Sequence, residues 1–132
     1  MATKTGWVGD LEASTRDNTD YRRVLYTAAH CQLVLMSLRA GEEIGEEVHE
    51  LDQFIRFESG RGVVILEGSS HPVSDGVAVV IPAGTRHNVR NTSSKDRLQL
   101  YSVYAPPEHK DGTIHRTKAQ ARDEHFDGVT TE

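Results

Sequence analysis

From Tyr21 onward the chain is a succession of short runs of Val, Ile, Leu, Phe and Tyr, most of them closed by Gly, Pro, Asn or Asp. This alternation restricts the fold more than any other feature. β-Branched and aromatic residues suit a pleated, half-buried strand, and the punctuating residues suit tight turns. The runs YRRVLYT, CQLVLMSL, QFIRFES, RGVVILEG, VAVVIP, HNVRN and LQLYSVYA are predicted strands; RAGEEIGEE, Ser59-Gly60, SSHPVSDG, AGT and TSSKDR are predicted breaks. So many strands must hide both a face and their edges, which predicts an all-β sandwich or closed barrel. The 132 residues suit one domain, with a core over about 21–106, an N-terminal arm over 1–20 and a C-terminal tail over 107–132. The arm is polar, with Trp7 and Val8 as its expected docking point, and Thr117 to Glu124 is expected to form a short C-terminal helix.

The net charge of −5 is spread along the chain, and no basic stripe with interleaved aromatics is present, so nucleic acid is not an expected partner. No run approaches the ~20 apolar residues that cross a bilayer. The start, MATKTGWVGD, lacks the apolar stretch of a secretory signal. A cytoplasmic protein without a membrane partner is therefore expected. The one cysteine, Cys31, has no internal disulfide partner; within CQLVLMSL it is expected to be buried and inert.

The stretch GVAVVIPAGTRHNVRN fits the pattern G-x5-P-x-G-x2-H-x3-N at Gly76, Pro82, Gly84, His87 and Asn91. Pro82 fixes φ ahead of a tight turn, and Gly84 lets the backbone reverse to present His87. In these positions the chain resembles the second signature motif of the cupin superfamily. The first cupin motif, G-x5-H-x-H-x3-4-E-x6-G, then falls on Gly41, Glu47, His49, Gln53 and Gly60, with the frame kept and two ligand types changed. Glu47 stands for the first His and Gln53 for the usual Glu.

The resemblance thus implies a metal-ligand set of Glu47, His49, Gln53 and His87. Glu47 and His49 are two apart and share a face of an extended segment, while Gln53 and His87 come from other strands. Two imidazole nitrogens, one carboxylate and one amide oxygen suit a divalent transition metal such as Zn, Mn, Fe, Ni or Co. Other roles remain open at two positions. Glu47 lies in the acidic run EEIGEE, which also suits a solvated face, and the Gln53 amide equally suits a hydrogen bond to a ligand water.

The period of 2 puts Gln53, Ile55 and Phe57 on one face and His87, Val89 and Asn91 on another, so Ile55, Phe57 and Val89 are expected to line the cavity. Met36, Tyr101 and Tyr104 are not assigned a face. His30, His71, His109, His115 and His125 are read as surface residues, although His109 and His115 follow a strand that could end at a barrel mouth.

The resemblance implies a double-stranded β-helix, the cupin jelly-roll barrel, with one metal inside and a homodimer as the expected assembly. Within the superfamily the chain is similar to small single-domain bacterial cupins of mannose-6-phosphate-isomerase-like type. A metalloenzyme acting on a small molecule as a sugar-phosphate isomerase would is the expected function. The alternatives are a metal-dependent dioxygenase and a non-catalytic barrel that binds a metal or small ligand. Substitution of the usual Glu by Gln53 argues against the dioxygenase, because that carboxylate often doubles as a base.

Overall fold

The computed structural model describes residues 5–122 and 124–132. Its strands, in chain order, are β1 Arg22–Thr27, β2 Gln32–Leu38, β3 Asp52–Ser59, β4 Arg61–Leu66, β5 Ser69–Ser74, β6 Ala78–Ile81, β7 His87–Asn91, β8 Leu98–Ala105 and β9 Ile114–His115. Neighbouring strands pair antiparallel, in a six-stranded sheet ordered β6-β3-β8-β2-β1-β9 and a three-stranded sheet ordered β5-β4-β7. This is the all-β jelly roll that the sequence implies.

Alternation along each strand builds the core between the sheets. Gln53, Ile55 and Phe57 of β3 are buried, and the register sets Phe57 opposite Leu100 and Gln53 opposite Tyr104 of β8. Met36 of β2 lies opposite Leu100 from the other side, and Val64 lies opposite Val89 in the smaller sheet. Each such large apolar side chain contributes about 1.5–3 kcal/mol by leaving water. Met36 and Tyr104 therefore point inward, whereas Tyr101 shares the outer face with Phe54, ring centroids 6.3 Å apart. Gly62 in β4 is required by close approach, because a Cβ there would lie 2.2 Å from the Arg90 carbonyl oxygen and 2.9 Å from Leu98 Cδ2.

Several expectations need correction. SSHPVSDG is not a simple break: Ser69–Ser74 forms β5, an edge strand with only Val73 buried. Pro72 is accommodated there because an edge strand leaves half its backbone donors unpaired. The arm contains a helix, α1 Leu11–Asp17, capped by the Asp10 carboxylate, which accepts from the Ala13 N–H at 3.0 Å. Val8 is fully exposed and does not dock. The arm is held instead by Gln99, whose amide donates to the carbonyls of Arg16 and Asn18 at 2.6 and 2.8 Å. The expected C-terminal helix reduces to a single 3-10 turn over Lys118–Gln120, since so short a segment without an apolar face gains too little to nucleate a helix. Residues 1–4 of the arm and residue 123 of that span lie outside the described residues. Cys31 is exposed, because it sits in the β1–β2 turn, one residue before the buried strand begins.

Candidate metal centre

Backbone pairing brings the two halves of the site together. The Glu47 N–H donates to the His87 carbonyl at 2.8 Å and the His87 N–H donates back at 2.9 Å, so the two residues lie side by side. The turn before His87 closes with Thr85 N–H on the Pro82 carbonyl at 3.1 Å, and the Gly84 N–H reaches the His49 carbonyl at 2.8 Å. Gly84 adopts φ +84, a left-handed conformation that a side chain would disfavour. One donor atom each from Glu47, His49 and His87 then lie within 4.8 Å of one another. The two imidazole centroids are 5.2 Å apart, and His49 Nε2 is 3.7 Å from Glu47 Oε1.

The next layer decides which atoms face that point. His87 Nδ1 donates to the Thr85 carbonyl at 2.9 Å, leaving Nε2 with its lone pair. His49 Nδ1 meets the Glu108 carboxylate at 3.2 Å, and its Nε2 is buried without a hydrogen-bond partner among the described residues. Gln53, on the adjoining inner face, donates its amide N–H to Ser102 Oγ at 3.1 Å, and its buried Oε1 has no partner among the described residues. A buried polar atom without a partner is costly. Two aligned imidazole nitrogens, one carboxylate and an unpartnered amide oxygen are the donor set that a divalent transition metal takes, so the residues present fit such an ion.

Electrostatics around the imidazoles diverge. Burial alone pushes His49 down, but the Glu108 and Glu47 carboxylates outweigh it and lift the ring to about 9. Burial likewise favours a neutral Glu108, yet the contacts with His49 and His125 hold it below the usual carboxylate range. Burial, reinforced by the Arg22 charge, depresses His109 to about 3. His109 is therefore neutral at physiological pH, and its Nε2 also lacks a partner among the described residues.

A cleft of about 210 Å³ opens beside this cluster, and Arg22, Glu47, His49, Glu108, His109 and Arg122 contribute to its wall. It is polar. Ile55, Phe57 and Val89, expected to line it, are almost completely buried in the core, one layer deeper, and do not reach the cleft. Glu108 and Arg22 have no motif in the sequence. The loop bearing Glu108 and His109 is held by Gln32 of β2, whose amide oxygen accepts from the His109 N–H at 2.9 Å and whose amide nitrogen donates to the His109 carbonyl at 2.7 Å. The sequence signal for this loop is the polar stretch PPEHK directly after the last long strand.

A family model described as a cupin domain matches residues 34–104. The uncharacterized protein YrkC of Bacillus subtilis is 47% identical over 122 residues, covering 87% of this chain and 65% of its own length. The chain thus spans slightly less than two thirds of that relative. The uncharacterized protein L612 of Acanthamoeba polyphaga mimivirus is 40% identical over 119 residues, covering 87% of this chain and 74% of its own. The crystal structure of BH2720 from Bacillus halodurans superposes with a TM-score of 0.84 at 46% identity, over 90% of this chain and 97% of that one.

Proposed function

The chain belongs to the cupin domain family, and from that premise we propose that it is a metalloenzyme of isomerase type acting on a small oxygen-rich molecule. Glu47, His49 and His87 are the proposed ligands of one divalent ion, with Gln53 as a fourth donor. The observation that carries the reading is the convergence of three donor atoms within 4.8 Å, backed by fixed hydrogen bonds on the far side of both imidazoles. Zn, Mn, Fe, Ni and Co all suit the donors. With a single anionic ligand such an ion stays positive and supplies Lewis acidity to a carbonyl or hydroxyl oxygen.

The protein's own residues bind and orient. Glu108 holds the His49 ring, Ser102 turns the Gln53 carbonyl inward, and His109 offers a neutral ring nitrogen in the cleft wall for a substrate hydroxyl. The mixed Glu, Gln and His donors support the mannose-6-phosphate-isomerase-like subtype. The proposal extends to a homodimer, supported by the Phe54–Tyr101 pair and by Val80, 65% exposed, on the large sheet, and to a cytoplasmic location. No helix of the described residues is long and apolar enough to cross a membrane.

Proton transfer between neighbouring carbons would carry solvent deuterium into the substrate. Metal-loaded protein incubated in D2O with aldoses, ketoses and their phosphates is expected to label one carbon-bound position in at least one of them. Absence of label throughout the panel, with the ion bound, would refute the isomerase reading.

A further inference from the structure

Arg22 is the cleft residue that the proposed metal chemistry leaves unused. It projects from the inner face of β1, opposite Met36, and is only 7% exposed. Its guanidinium lies 5.3 Å from the Tyr21 ring centroid, and Nη1 donates to His115 Nδ1 at 3.3 Å. Its Nε–H is buried without a hydrogen-bond partner among the described residues. Among the described residues no carboxylate forms an ion pair with it. Of the acidic side chains in the same cleft, Glu47 lies against His49, Glu108 is shared between His49 and His125, and Glu124 lines the wall without an ion pair to Arg22 among the described residues. A buried guanidinium without an anion is disfavoured, because one ring nitrogen and one aromatic face replace only part of its lost hydration. A chain that places one in the wall of an open cleft leaves the missing anion to be supplied from outside.

We propose that the cleft binds a small carboxylic acid, whose carboxylate pairs with Arg22 while its other oxygens turn toward Glu47, His49 and His87. The planar fork of an Arg side chain matches a carboxylate, and a carboxylate that reached the guanidinium would also satisfy the buried Nε–H. His115 holds the other end of the group and so fixes the direction in which the fork opens. Glu47, Glu108 and Glu124 line the same cleft together with Arg22 and Arg122, so charge alone does not separate a carboxylate from a phosphate, and glycerol 3-phosphate is the probe that does. The volume of about 210 Å³ admits a short hydroxy or oxo acid. The outward end of the ligand rests on the metal reading above; the contact with Arg22 does not.

Glycerate, glycerol and glycerol 3-phosphate form a matched set of probes that differ only at one end. Calorimetric titration into manganese-loaded full-length protein is expected to show glycerate binding at least tenfold more tightly than either of the others. Arg22→Gln is expected to remove that preference while Mn²⁺ affinity stays within about twofold. Equal binding of glycerate and glycerol, or a preference that survives in Arg22→Gln, would overturn the proposal. Tighter binding of glycerol 3-phosphate would overturn the carboxylate assignment. Because glycerate also chelates Mn²⁺ through its hydroxyl and carboxylate, the preference must persist in unsubstituted protein stripped of metal, and its absence there would overturn the Arg22 contact even if Arg22→Gln fails to fold. A glycerate preference that depends on Arg22 in protein taking up none of Zn, Mn, Fe, Ni or Co would support the Arg22 contact and refute the metal reading, so the two failures are distinct.

Discussion

The side chain of Glu108 sets what His49 can do. By accepting from Nδ1 at 3.2 Å it fixes the tautomer whose Nε2 faces the cluster, and such supporting contacts commonly contribute 10–100-fold in metal affinity. Glu108→Ala is expected to weaken metal binding by roughly that factor while leaving the unfolding transition cooperative, as read by titration calorimetry and circular dichroism. The same pair predicts a pH dependence of the metal-free protein. His49 is lifted from 6.5 to about 9 in the folded chain. Its protonated form therefore adds stability that is fully present below pH 6.5 and is lost as pH rises through about 9. Melting temperatures of chelator-treated protein across that range should fall with rising pH, and the fall should shrink in His49→Ala. Of these residues, His49 and His87 are legible from motif spacing because neighbouring backbone positions fix them. Glu108 and Arg22 are not, because they reach the cleft only through the Gln32 clamp on one loop and the β1–β2 register. Asn91 shows a different limit. Its motif position is plain in the sequence, but its amide donates to the carbonyls of Leu38, Arg39 and Asp96 at 3.1, 3.0 and 2.8 Å, a structural task that spacing alone does not reveal.

At the level of elements, hydrophobic patterning locates the strands that have an inner face and fails for those that do not. The seven apolar runs correspond to β1–β4 and β6–β8, edge strands β6 and β7 included, whereas β5 and β9 bury one residue each. Those two are missed because SSHPVS is mostly polar and IH is too short to show a period, and both are held by backbone pairing. Helix α1 was hidden for a related reason: at seven residues it is held by a cap and by Gln99 rather than by an apolar stripe. The packing of β4 against its neighbours supplies a direct test. Gly62→Ala would press a methyl group against the Arg90 carbonyl across the β4–β7 pair. It is expected to cost about 3 kcal/mol or more in urea unfolding, and a loss below about 0.5 kcal/mol would mean that the two strands separate more readily than their register implies.

For the whole molecule, the two sheets enclose an apolar floor of Ile55, Phe57, Val64 and Val89 and leave a polar mouth above it. The sequence shows that such a barrel exists and where its central donors fall, but the cleft walls come from a tail that has no pattern of its own. The six-stranded sheet turns Phe54, Tyr101 and Val80 outward, and a mass of two chains in light scattering is the expected outcome of the homodimer proposal; a monomer at micromolar concentration would reject it. The metal chemistry proposed for the site depends on a cation held between the two imidazoles. Elemental analysis by mass spectrometry, on the unsubstituted protein and His87→Ala after equal exposure to Zn, Mn, Fe, Ni and Co, tests that most directly. One ion per chain in the first and almost none in a still-folded His87→Ala is the predicted result; equal metal content in both proteins, or none in either, would contradict it.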